Sequence, residues 1–133
     1  MSRFFIPIAA ALAFLGVALG AFGAHGLKGQ ISDNLMQAYQ TGVFYHLVHA
    51  LGLLVIGVLI FIDTKSNGSC RLLTWSGYSL IAGILLFSGS LYLMALTGIR
   101  WLGIITPVGG IAMLAAWILL FLAGMKLANY QQH

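Results

Sequence analysis

The chain has 133 residues, of which 61% are hydrophobic and 6% charged. Soluble globular domains carry about 25% charged residues, so 6 basic and 2 acidic side chains cannot cover a water-facing surface, and a soluble enzyme or carrier is excluded. The formal charge of +4 is spread over single Lys and Arg residues rather than a patch, which argues against nucleic-acid binding.

The first apolar run extends from about residue 4 to 24, long enough to cross about 30 Å of hydrocarbon as a helix. Met1-Ser2-Arg3 ahead of it and Ala21-Phe22-Gly23 at its end resemble a secretory signal. The run is longer than the 7–15 residues usual for a signal core, so we read it as a retained span. Gly16, Gly20 and Ala24 form a small-residue stripe along it. Such stripes let helix backbones approach in lipid; packing inside one bundle is the plain reading, and a seam between two copies the sharper one. The stretch from Gly26 to Gln40 is hydrophilic, yet Ile31, Leu35, Met36 and Tyr39 fall near one helical face, with Ser32 or Asp33 placed to cap it. We expect a short amphipathic helix in the interface there, with continuation into the next span left open.

The second span covers about 42–62 and carries Tyr45, His46 and His49. Counted from Gly42 at about 1.5 Å per residue, the two histidines lie in the outer third of the membrane. Their i, i+3 spacing lets both face one neighbour. Asp63 to Ser69 is a turn-rich loop, followed by Cys70, a lone cysteine read as an ordinary small residue. One cysteine excludes an internal disulfide and any multi-cysteine metal motif.

The third span covers about 72–96 and the fourth about 102–122, joined by Thr97-Gly98-Ile99-Arg100-Trp101. Ser79 and Gly83 on the third, and Ala112 and Ala116 on the fourth, repeat the small-residue spacing. Pro107 suits the first turn of a helix, where its missing amide has no intrahelical partner. None of the four runs contains Asp, Glu, Lys or Arg, and in lipid only helices satisfy such backbones. The expectation is all-α: one integral membrane domain, a four-helix bundle with a short interfacial amphipathic helix between spans 1 and 2.

The side holding both termini carries Arg3, Lys65, Arg71 and Lys126, the other Lys28 and Arg100. Positive residues favour the cytoplasm, so both termini are expected inside. On that topology His25, Tyr45, His46, His49, Ser88, Ser90, Tyr92 and Thr106 gather at the outer end as a candidate polar pocket. Their plain role is to hydrogen-bond one another and fix helix register. The sharper alternatives are a small-ligand or lipid site, a proton path through His and Tyr, and a metal or haem site. Two imidazoles at i, i+3 can share a metal, but a third ligand is hard to find. No paired carboxylate, phosphate loop or nucleophile elbow is present, so neither an enzyme nor a bound cofactor is expected, and the identity of any small-molecule ligand stays open.

Four ordered stretches carry a family resemblance: Gly20 to Leu27 (GAFGAHGL), Tyr39 to Leu51 (YQTGVFYHLVHAL), Phe87 to Tyr92 (FSGSLY), and Thr106-Pro107 with Gly109-Gly110. Together they resemble a family of small membrane proteins of unknown function that includes bacterial YgdD and eukaryotic transmembrane protein 256. The pattern often has Gly-Trp in the fourth span, where this chain has Ala116-Trp117. The resemblance implies an uncleaved four-span protein of the bacterial plasma (inner) membrane. It implies no reaction, substrate or cofactor.

Overall fold

The computed structural model describes residues 2–63 and 67–130, so Lys65 of the charge count lies outside the described residues. Among them, four helical stretches are long and apolar enough to cross a membrane: Ser2–Leu27, Asp33–Ile62, Gly68–Thr97 and Arg100–Tyr130. The first is α1 (Phe5–Phe22), closed by a π-helical turn at Gly23–Leu27. The second is α2 (Asp33–Ile62). The third is built from α3 (Asn67–Gly83), a π-helical turn (Ile84–Ser88) and α4 (Gly89–Thr97). A 3₁₀ turn (Arg100–Ile104) leads into α5 (Thr106–Tyr130). Large side chains such as Phe14, Phe61, Leu85, Ile111 and Phe121 stay exposed, as expected of a bundle whose solvent is lipid.

The helix boundaries follow local chemistry. Ser32 caps α2, its Oγ accepting from the Leu35 amide at 3.3 Å; an N-cap oxygen satisfies one of the donors a helix start leaves free. The amphipathic segment between the first two spans forms the first turns of α2, continuing into the second span without a break. Gln37, Gln40 and Thr41 tolerate helix, and Thr41 Oγ1 bonds back to the Gln37 carbonyl at 3.0 Å. Gly98 ends α4 in the left-handed conformation (φ 71°), where a Cβ would be strained. Pro107 occupies the first turn of α5, the position the sequence assigns it.

The small-residue stripes pack inside the bundle. On α1, Gly16 receives Leu47 of α2 and Gly20 receives Val43; Ala24 of the same stripe is exposed. Gly23, one turn before the end of the first span, receives the Tyr39 ring, whose hydroxyl donates to the Leu19 carbonyl at 2.5 Å. Between α3 and α5, Ser76 and Ser79 donate to the carbonyls of Ala116 and Ala112, each at 2.7 Å. Gly83 lies against Met113, where a Cβ would stand 2.6 Å from its Cγ. Hydrogen bonds between membrane helices average about 0.6 kcal/mol, so Ser76→Ala and Ser79→Ala are each expected to cost about that much. Reversible unfolding in mixed micelles measures it; a cost of several kcal/mol from either would mean the serines do more than tie two helices.

The core nearest the termini is apolar: Phe5, Leu53, Ile56, Leu73 and Leu80 are almost wholly buried. Phe5 meets Tyr78 edge-on at 5.2 Å. Buried Ser69 and Ser76 also lie in this half, whereas Ser88 and Ser90 are buried in the other.

Candidate functional site

The residues expected to form one polar pocket separate into pairs. Ser88, fully buried, donates to the Gly42 carbonyl of α2 at 2.8 Å. Ser90 bonds the Phe87 carbonyl at 2.9 Å and Thr106 Oγ1 at 2.6 Å, tying α4 to the start of α5. His46 Nδ1 and the Tyr92 hydroxyl are hydrogen bonded at 2.8 Å. His25 stands apart, exposed in the π-helical turn that ends the first span.

His46 and His49 are both buried, 4% and 5% exposed, but they turn to different neighbours. His46 packs toward α1, beside Gly16 and the Leu12 carbonyl, and across to Tyr92. Its Nε2 is enclosed and has no partner at good hydrogen-bond geometry, the Leu12 carbonyl being a weak one. His49 faces α5, its ring edge-on to Trp117 at 5.9 Å and stacked on Tyr45 at 5.7 Å with 8° between planes. The i, i+3 pair therefore does not converge on one point. Among the described residues no three His, Cys, Asp or Glu side chains gather as metal ligands.

His49 Nδ1 lies 2.7 Å from the Tyr45 carbonyl. A carbonyl only accepts, so Nδ1 carries the proton, and in the neutral imidazole Nε2 presents a lone pair. No described residue bonds Nε2, and it is not among the fully enclosed polar atoms. His49 lines a cleft of about 470 Å³ between α2, the π-helical turn and α5, and Nε2 is the ring nitrogen left without a partner there. Tyr45, Phe87, Pro107, Gly110 and Trp117 wall that cleft, and Tyr45 and Phe87 pack ring to ring at 4.6 Å. Tyr45, Pro107 and Trp117 are exposed on the outside of the bundle, so the mouth faces the surrounding medium, which for this bundle is lipid.

The π-helical turn supplies one wall of the cleft through Phe87. A π turn inserts one residue into a helix and rotates the later residues about its axis, and such turns are frequent at functional sites. Here it carries the Phe87 backbone against Gly109, where a Cβ would lie 2.7 Å from Phe87 Cα. The next glycine, Gly110, has only ordinary contacts with the Phe87 ring, at 3.8 Å. One glycine closes the helix contact and its neighbour leaves the cleft open. Phe87, Gly110 and Trp117 are absent from the pocket expected from sequence, which polar side chains alone define. The Gly109-Gly110 doublet is the signal that points to them.

His49 is sixteen residues past Asp33, about 24 Å along a helix of about 45 Å. Because α2 starts at Asp33, the histidines stand near its middle rather than near its start.

A family model described as a protein of unknown function, DUF423, matches residues 19–110. The UPF0382 membrane protein YwdK of Bacillus subtilis is 48% identical over 124 residues, covering 93% of this chain and 98% of its own length. A UPF0382 membrane protein of Staphylococcus epidermidis is 45% identical over 127 residues, covering 96% and 99%, and one of Staphylococcus haemolyticus 42% over 124, covering 93% and 97%. No solved structure matches significantly.

Proposed function

We propose a binding role for this chain, which belongs to the DUF423 family of membrane proteins. It acts without catalysis, taking up a membrane-soluble molecule in the cleft beside His49. The observation that carries this reading is His49, with one ring nitrogen bonded to backbone and the other unpartnered, in the wall of a largely apolar, aromatic recess. Ligand sites are commonly apolar concavities with a few placed polar groups. The other interior polar groups named above are engaged with one another or with backbone, which suits structure rather than turnover. The setting we infer is the bacterial plasma membrane with both termini cytoplasmic. Arg3, Arg71 and Lys126 at one end against Lys28 and Arg100 at the other support that orientation.

The test uses Gly110→Leu, which fills the recess from a position with room for a side chain. Trp75→Phe and Trp101→Phe leave Trp117 as the reporter. In bilayers containing this protein, a brominated alkylbenzene is expected to quench Trp117 saturably, and Gly110→Leu to leave only quenching proportional to the probe's bilayer concentration. Equal saturable quenching in both proteins would overturn the binding reading.

A proton path through His46 and Tyr92 is the competing reading, favoured by the enclosed His46 Nε2 with no partner at good geometry. Toward the termini it meets the apolar core of Leu53, Ile56 and Leu80. Proton flux in proteoliposomes that disappears in His46→Ala would favour the path over the cleft.

A further inference from the structure

We propose that the occupant of the cleft is a membrane-soluble phenol, its aromatic hydroxyl donating a hydrogen bond to His49 Nε2. This rests on the binding reading and names the ligand's chemistry.

The polarity of the contact is set by the backbone. Because the Tyr45 carbonyl holds the proton on Nδ1, Nε2 can only accept, so the ligand must bring a donor. A ketone, ether or ester offers none. The charge of the ligand is set by the lining, which contains no Lys, Arg, Asp or Glu. A carboxylate, phosphate or ammonium group would enter with no counter-charge, at the desolvation cost of an isolated ion. The donor is therefore neutral, and an acidic O–H gives an imidazole nitrogen a stronger hydrogen bond than an amide or indole N–H.

Depth and wall chemistry narrow it further. Counted from Gly42, where the apolar run begins, His49 lies about 10 Å into the hydrocarbon, below the interface where a phospholipid keeps its polar head. A ligand with its only polar group at this depth is a hydrophobic molecule with a single hydroxyl-bearing ring. The ring is specified by what surrounds the nitrogen: Tyr45 stacked on the imidazole, Phe87 against Tyr45, and Trp117 edge-on. Aromatic faces and edges favour another ring through their quadrupoles. A phenolic hydroxyl is also more acidic than an aliphatic one and gives imidazole a stronger hydrogen bond. The recess of about 470 Å³ accepts a substituted ring, with its tail leaving past Ile111 and Leu114 into lipid.

The experiment compares three brominated probes on Trp117 emission in the Trp75→Phe, Trp101→Phe protein in bilayers: para-octylphenol, its methyl ether, and the ring-saturated alcohol. One hydrogen bond in an apolar site corresponds to about a tenfold difference in affinity. The phenol is expected to bind about tenfold more tightly than the ether and more tightly than the saturated alcohol. His49→Phe, which keeps a ring without an acceptor, should equalise phenol and ether. If phenol and ether bind equally and saturably to the unsubstituted His49 protein, the donor assignment is wrong while the cleft stands. If the saturated alcohol matches the phenol, the aromatic assignment is wrong. If none binds saturably, both this inference and the binding reading fall.

Discussion

Gly109→Ala is expected to destabilise the bundle by about 2–3 kcal/mol, whereas Gly110→Ala, one residue on, leaves stability unchanged or raises it slightly. At Gly109 the added Cβ would stand 2.7 Å from Phe87 Cα. The obstacle is backbone and cannot rotate away, so α5 and the π-helical turn must separate. Overpacking of this kind costs about 1–3 kcal/mol and sometimes more. Separation would also stretch the Ser79 bond to Ala112 and the Ser90–Thr106 bond, which puts the expected cost at the upper end. At Gly110 the same Cβ meets ring carbons at ordinary distance, and alanine in a helix gains about 0.5–1 kcal/mol over glycine. Unfolding in mixed micelles or thermal scans in detergent distinguish the two. Equal effects at both positions would contradict the close approach at Phe87.

Tyr92→Phe is expected to cost about 1–2 kcal/mol, well above the roughly 0.6 kcal/mol typical between membrane helices. The reason lies with the partner. His46 Nε2 is already enclosed with no partner at good geometry beyond the Leu12 carbonyl, so removing the hydroxyl takes away the one well-formed hydrogen bond of a buried imidazole. Orphaning a buried polar group costs about 1–3 kcal/mol, while removing both partners together is often nearly neutral. The double variant His46→Phe, Tyr92→Phe should therefore be less destabilised than the sum of the two single changes. A double-mutant cycle reads that coupling directly. Strict additivity would mean that the 2.8 Å contact contributes nothing to the folded state.

Much of the fold is legible in the chain. Uncharged apolar runs, with no water to satisfy their backbones, require helices, and their number and order stand in the structure. The Ser32 cap and the early-turn proline are readable because local chemistry decides them. The start of α2 is less so: hydropathy averages over a window and sees Gln37 to Thr41 as a boundary, but the helix begins where Ser32 caps it. Neither π-helical turn is visible in the sequence. Each depends on tertiary packing, the first on Gly23 against Tyr39 and the second on Phe87 against Gly109.

Of the residues the sequence groups into one polar pocket, only Tyr45 and His49 line the cleft. Polarity alone singles out Tyr45, His46, His49, Ser88, Ser90, Tyr92 and Thr106. Spacing cannot say which neighbour each meets: His46 and His49 share a face of α2 yet contact α1 and α4 in one case and α5 in the other. His25 belongs to the same end of the membrane, but its turn presents it outward. Trp117 enters the sequence reading only through a departure from the family pattern, and its ring walls the cleft beside His49.

The central claim is that His49 holds its proton on Nδ1 and offers Nε2 as an acceptor inside the membrane. Nitrogen NMR of histidine-labelled protein in lipid bilayers at neutral pH, with His49 assigned by its loss in His49→Phe, tests this most directly. The predicted spectrum has a protonated Nδ1 and an unprotonated Nε2 whose resonance moves when para-octylphenol is added. A proton on Nε2, or a charged imidazolium in the absence of ligand, would contradict it.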